Sequence, residues 1–371
     1  MVVNKINKKI MMMKKVFLII GLILPLLISC KKKGCTDPTA TNYNQHAEQN
    51  DGTCEYESVE NALPLVINND LTLTNDKIWY LVGRTSVEDG VTLTIEPGTI
   101  IKGESGTGAN ATCLLIARGA KINAQGTPQQ PIIFTTEADN IQIGEIKGSS
   151  LVPTINGLWG GVIICGKAPI SAAVSTMQIE GIPASDINGL YGGTEENDNS
   201  GVLSYVSIRH GGANIGEGNE INGLTLGGVG NGTTINNIEV VANQDDGIEW
   251  FGGNVNCTNL LVWNIGDDCL DIDQGYGGDI DNVIIVPGLS NDHVFEIDGG
   301  EGQWNAPFTI DNSEVVSDEL EQAHFRADAV GYLSYFGDVN FEVNEGTAVV
   351  VDELVSGINH SEFNWTYWYN R

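Results

Sequence analysis

The chain has 371 residues, and its 18 lysines and arginines face 48 aspartates and glutamates, giving a formal charge of −30. Such a surface repels nucleic acid and anionic lipid, attracts divalent cations, and disfavours direct capture of a polyanionic sugar unless a cation bridges the two. No glycine-rich phosphate loop, coiled-coil heptad run or membrane-spanning apolar stretch follows the first thirty residues, which argues against nucleotide-dependent, coiled-coil and integral-membrane classes.

Residues 1–29 have the parts of an export signal: a basic start with Lys5, Lys8, Lys9, Lys14 and Lys15, then an apolar run over 16–27. That run is shorter than the ~20 residues of a membrane helix. Leu27-Ile28-Ser29-Cys30 resembles a bacterial lipobox. The resemblance implies that Cys30 is lipidated and begins the mature chain, with the membrane as partner through that lipid. Lys31 follows, not the Asp that retains lipoproteins at the inner membrane, so the expected address is the outer membrane, at the cell surface or on the periplasmic face. Removing the five signal lysines leaves 13 − 48 = −35.

Residues 30–57 form a linker module. Cys35 and Cys54 are expected to pair in an oxidising compartment, clipping a loop with too few apolar residues to hold itself. Asp37, Asn50 and Asp51 either ligate calcium there or serve a plain spacer. The Cys-flanked stretch resembles a short element of exported Bacteroidota proteins.

Residues 58–371 read as one all-β domain. Val91-Thr92-Leu93-Thr94-Ile95, Leu114-Leu115-Ile116, Pro131-Ile132-Ile133-Phe134 and Val162-Ile163-Ile164 are short alternating or apolar strands between Gly- and Pro-marked corners. Segments 166–200 and 213–222 break the spacing and read as loops. Further on the pattern repeats without gaps: Asp245-Asp246-Gly247-Ile248-Glu249-Trp250 aligns with Asp267-Asp268-Cys269-Leu270-Asp271-Ile272 and with Asp292-His293-Val294-Phe295-Glu296-Ile297. A second column holds Asn237, Asn259 and Asn282, and their amides are expected to bond along the stack. Two strands per repeat of about 23 residues, with no helical period, predict a right-handed parallel β-helix of about a dozen turns.

In such a solenoid, equivalent residues become vertical neighbours about 4.8 Å apart. Ile248, Leu270 and Phe295 stack inward, as do Trp250, Ile272 and Ile297, and Glu249, Asp271 and Glu296 stack outward. Cys257 aligns with inward Ile235 and Ile280, so with Cys113, Cys165 and Cys269 it reads as a buried thiol and not a zinc ligand. Near the carboxyl end Phe363, Trp365, Tyr367 and Tyr369 alternate, either as a platform for sugar, with Trp365 foremost, or as a plug over the open end of the coil.

The acids form columns: Asp245, Asp267 and Asp292 in one register, then Asp246, Asp268 and His293 in the next. Neighbouring carboxylates at this spacing repel by about 3 kcal/mol at an effective dielectric near 20. Three things can offset that: calcium held by Asp245, Asp267, Asp292, Glu249, Asp271 and Glu296, shared protons, or splay into solvent.

Two resemblances bear on function. Gly266-Asp267-Asp268-Cys269, with Asp246-Gly247 upstream and His293 downstream, resembles the active-site signature of polygalacturonase-type glycoside hydrolases over about 55 residues. It implies Asp268 as proton donor, Asp246 and Asp267 activating water, and His293 orienting them in an inverting mechanism. Arg326 stands in the range where that family places a substrate-binding cation, although its Arg-Ile-Lys is missing. A broader likeness, in Ile95-Glu96-Pro97-Gly98-Thr99 and Gly157-Leu158-Trp159-Gly160-Gly161 among other phrases, is to exported Bacteroidota β-helix proteins of the pectin-lyase-like superfamily. The expectation is a lipid-anchored envelope protein whose acidic face binds calcium and a glycan or other surface partner, with a glycoside hydrolase as the alternative.

Overall fold

The computed structural model describes residues 31–38, 40–54, 59–108, 111–215, 221–354 and 357–370. The export signal and Cys30 lie outside the described residues. No helix among them is long and apolar enough to cross a membrane.

The chain divides into two units, Met1–Ser58 and Val59–Arg371. In the first, Cys35 and Cys54 are joined by a disulfide, and strands Lys33–Gly34 and Gln49–Asn50 pair in parallel. Asn50 Oδ1 accepts the Gly52 N–H and Asp51 Oδ1 accepts from Thr53, so these oxygens shape the turn. No metal-capable group of His, Cys, Asp and Glu side chains among the described residues includes Asp37 or Asp51.

The second unit is a right-handed parallel β-helix. Its strands form a 13-stranded sheet and a 10-stranded sheet, and successive neighbours in each sheet pair in parallel, one turn apart. In the early turns the long side is split into two strands, such as Lys121–Gln125 and Ile132–Thr136. Both then pair with the single strand Gly201–Arg209.

The later long strands bend instead of breaking, and the bend explains the asparagine column. Tyr205, Asn237, Asn259, Asn282 and Asn312 take φ of 53°, 54°, 58°, 60° and 53°, the left-handed region that asparagine tolerates better than other side chains with a Cβ. Their amides also bond along the rod: Asn282 Nδ2 donates to Asn259 Oδ1 at 2.6 Å, and Asn259 Nδ2 to Asn237 Oδ1 at 3.5 Å.

The core fills the bore. Ile248, Leu270 and Phe295 are in register, as are Trp250, Ile272 and Ile297, and all are at most 1 % exposed. A side chain of this kind contributes roughly 1.5–3 kcal/mol when fully buried. Cys257 pairs with Ile235 and Ile280 in the same bore, and burial pushes its thiol up to about 12.

Two sequence expectations change. Segment 166–200 is no bare loop: it holds the hairpin Met177–Gln178 with Leu190–Tyr191 and packs Ile170, Ile179, Ile182 and Tyr191 against Phe251. The carboxyl-terminal aromatics do not plug the end of the coil. Phe363 and Tyr367 lie against Val241, Ala242, Leu261, Trp263 and Ile284 on the rod's flank, because those outward positions are apolar. The final strand Ala348–Glu353 is left mostly exposed.

The left-handed column yields a stability test. Asn259→Ala should cost about 1–2 kcal/mol through backbone strain plus the lost amide bonds, whereas Asn259→Gly keeps the φ and should cost less. Denaturant titration of the two variants checks the order.

Candidate functional site: an acidic cleft on the short sheet

The site is built on four consecutive strands of the 10-stranded sheet, Leu224–Gly227, Ile248–Phe251, Leu270–Asp273 and Phe295–Ile297, and continues onto Glu321–Phe325. Since alternate side chains point out of the bore, in-register pairing puts Thr225, Glu249, Asp271, Glu296 and His324 in one outward column. Beside it, Asp246, Asp268 and His293 occupy the corner before each strand. The corner is tight: a Cβ on Gly266 would lie 2.2 Å from the Gln244 carbonyl oxygen.

The corner residues form a ladder. Asp246 Oδ1 accepts the Asp268 N–H at 3.0 Å, and Asp268 Oδ1 accepts the His293 N–H at 2.8 Å with the His293 ring Nδ1 2.9 Å away. Each carboxylate thus satisfies a backbone donor of the next turn, a structural reason for this register independent of any ligand.

The outward column is covered. Glu249 and Asp271 are only 5 % and 8 % exposed, and Glu180 from the 166–200 segment joins them in lining a cleft of about 550 Å³. Splay into solvent therefore does not describe these two residues. Ten carboxyl groups line the cleft against one cation, Arg326, so the local imbalance exceeds that of the chain as a whole. Arg326 Nη2 lies 2.6 Å from Glu296 Oε1 and its Nε 3.2 Å from Asp298 Oδ1.

Burial, reinforced by neighbouring carboxylates, pushes Asp246, Glu249 and Asp271 well above the usual carboxylate range. The same causes raise Asp268 to about 9 and Asp273 to about 7. Without a cation these five carboxyls hold their protons to higher pH than free ones do.

Three groups of carboxylates place their oxygens within 4.8 Å of one another: Asp246 with Glu249 and Asp271, Asp268 with Asp271 and Glu296, and Asp245 with Asp246 and Asp267. Asp271 belongs to two of them, and its buried Oδ1 has no hydrogen-bond partner among the described residues. Asn222 donates to Glu249 through Nδ2, but its Oδ1 is equally covered and unpartnered. Both orphan atoms are oxygen acceptors, as a hard divalent cation requires.

The expected residues come together unevenly. Asp246, Asp268 and His293 meet directly, and Arg326 lines the same cleft. Asp292 stacks on Asp267, whose carbonyl accepts its N–H at 3.0 Å, and its carboxylate lies 3.8 Å from His293 with the side chain 71 % exposed. Trp365 takes no part: it is 4 % exposed and edge-on to Tyr205, so its ring offers no open face to a sugar. Sequence reasoning missed His324, Asn222 and Glu180. Extending the alternation one turn, from Phe295-Glu296-Ile297 to Ala323-His324-Phe325, finds the first of these.

A family model described as a pectate-lyase-like beta helix domain matches residues 65–355. The chain belongs to this family. Comparison with curated proteins and with solved structures found no match.

The raised carboxyls make stability depend on pH with a definite sign. Asp268 titrates at about 9 in the fold against an ordinary 3.8, so over that window the folded chain binds more protons than the unfolded one, and stability falls as pH rises. In chelator the melting temperature should drop between pH 5 and pH 8, and Asp268→Asn should flatten the slope. A melting temperature that rises with pH would contradict this.

Proposed function

We propose that the acidic cleft is a calcium-dependent glycan-binding face carried by an exported, lipid-anchored β-helix. The observation that carries this reading is Asp271, whose buried, unpartnered Oδ1 belongs to a side chain shared by two carboxylate groups. Two oxygens on opposite sides of a Ca²⁺ ion at about 2.4 Å each are about 4.8 Å apart, the spread within which each group's ligand atoms lie. Asp246, Glu249 and Asp271 would hold one ion, and Asp268, Asp271 and Glu296 a second, with Asn222 Oδ1 as a neutral oxygen nearby. Calcium takes six to eight oxygens. The positions that protein atoms leave open suit the carboxylate and hydroxyl oxygens of an acidic sugar, which the cleft's own charge would otherwise repel. The lipobox-like Leu27-Ile28-Ser29-Cys30 supports the anchored location, and the pectate-lyase-like family description accords with an acidic polysaccharide.

Calcium at a hundredfold excess over its Kd adds about 2.7 kcal/mol of stability, a rise of roughly 4 °C in melting temperature for a domain of this size. Asp271→Asn should remove most of that rise, and retention of an oligogalacturonate on immobilised protein should require calcium and be lost in chelator. No calcium response at millimolar concentration would defeat the reading.

One observation favours glycoside hydrolysis as a second reading. The Asp268 carboxyl, raised to about 9, keeps its proton at neutral pH and lies 2.9 Å from His293 Nδ1, as a general acid with an orienting partner would. The exposed Asp267 is better placed than the buried Asp246 to meet and activate a water. Asp268→Asn should then abolish release of reducing ends while leaving the part of the calcium melting shift that comes from the ion held by Asp246, Glu249 and Asp271. Unchanged turnover in that variant would remove Asp268 from the chemistry.

A further inference from the structure

The outward column changes from oxygen to nitrogen at His324, between Glu296 and Glu342. His324 follows Glu296 in register, and His293 comes from the corner before the strand Phe295–Ile297. Their rings lie 5.6 Å apart between centroids. Nδ1 of His293 and Nδ1 of His324 lie 3.6 and 3.8 Å from the same atom, Glu296 Oε1, and the ligand atoms of the three residues all fall within 4.8 Å of one another.

A second observation concerns His324 alone. The chain has five histidines. His46, His210, His293 and His360 each have a ring nitrogen at hydrogen-bonding distance from a partner. His324 has none among the described residues: its Nε2 is covered and unpartnered, and its Nδ1 is 3.8 Å from Glu296, beyond hydrogen-bonding length. The ring has its side chain only 18 % exposed, and Nδ1, the nitrogen facing Glu296, has no hydrogen bond; a metal–nitrogen bond there would offset part of the imidazole's desolvation cost.

We propose that His293, Glu296 and His324 form a separate site for a divalent transition-metal ion of the Zn²⁺ class. Two imidazoles and one carboxylate suit zinc, cobalt, nickel or copper and not calcium, which takes oxygen ligands. Ligand atoms around a tetrahedral ion with bonds of about 2.0–2.1 Å are about 3.4 Å apart, so the 3.6 and 3.8 Å separations close on an ion with small side-chain shifts. Asp268, 2.9 Å from His293 Nδ1, or a water completes the shell. Arg326 holds the shared Glu296 oxygen at 2.6 Å and is 47 % exposed, free to swing aside when the ion enters. Glu296 also belongs to the second calcium group, so the two ion classes compete there, while the group of Asp246, Glu249 and Asp271 does not share a ligand with the imidazoles.

The test uses the mature chain, stripped with chelator and titrated with Co²⁺ alone, followed by visible absorption and calorimetry. One equivalent of Co²⁺ should bind with absorption bands of nitrogen and oxygen ligation and be displaced by Zn²⁺. His324→Gln should weaken Co²⁺ by roughly 100-fold and leave calcium binding intact, and Glu249→Gln should weaken calcium and spare Co²⁺. Unchanged Co²⁺ affinity in both His324→Gln and His293→Gln, with melting in chelator confirming that both fold, would overturn the site, as would Co²⁺ binding no tighter than calcium. Loss of the calcium response with Co²⁺ binding retained would defeat the calcium reading and leave this one standing.

Discussion

Parallel, in-register pairing forces every side chain to sit on its equivalent in the next turn, and here that places carboxylate on carboxylate. Glu249, Asp271 and Glu296 are consecutive rungs of one column. Each adjacent ionised pair would repel by about 3 kcal/mol at an effective dielectric near 20. The opposite face of the same strands supplies the compensation, since Trp250 and Ile248 fill the bore with no exposed surface and two such side chains contribute roughly 3–6 kcal/mol per rung. The core can therefore carry a strained outer face. What it cannot do is remove the strain, which is left to protons, to Arg326 and to added cations.

The bore and the registers were readable from spacing because both follow from two local rules, alternation along a strand and stacking at a fixed repeat. Ile248 over Leu270 and Asn237 beside Asn259 needed nothing else. The burial of the acids was not readable, since it depends on segment 166–200 folding back so that Glu180 meets a strand some seventy residues later. Nor was the turn that carries His324. The step from Phe295 to Ala323 is 28 residues, and a reader holding offsets of 22 and 25 stops one rung short of the imidazole.

The carboxyl-terminal aromatics show how a local pattern misleads when a distant charge decides the outcome. Alternating aromatic residues read as a sugar platform or an end plug, yet 360–363 form a 3-10 turn docked on the flank. Beneath them Arg209 and Glu239 are buried at 1 % and 0 % exposure with 3.5 Å between Nη2 and Oε2. A buried ion pair holds only if its remaining polar atoms are largely satisfied, and the tail helps to do this. Trp368 N–H donates to Glu239 Oε1 at 3.0 Å, Ser207 donates to Oε2 at 2.6 Å, and the Tyr367 ring lies 4.9 Å from the guanidinium carbon. The tail is thus the lid of a charge pair as much as a cover for Val241, Leu261 and Ile284.

A cleft lined by ten carboxyl groups and one arginine has two internally consistent states. With protons retained on the buried carboxyls the cleft carries less charge and bonds to itself, and it offers an acidic ligand no cation but Arg326. With cations in place of those protons the same oxygens become ligands, the charge falls towards zero by a different route, and open coordination positions face outward. Choice of ion then follows position along the column: oxygen donors around Asp271 favour a hard ion, and the imidazoles of His293 and His324 beside Glu296 favour a softer one. Because stacking fixes the order of rungs, the place where nitrogen replaces oxygen is set by the repeat itself, and replacing one residue changes one rung without disturbing the bore behind it.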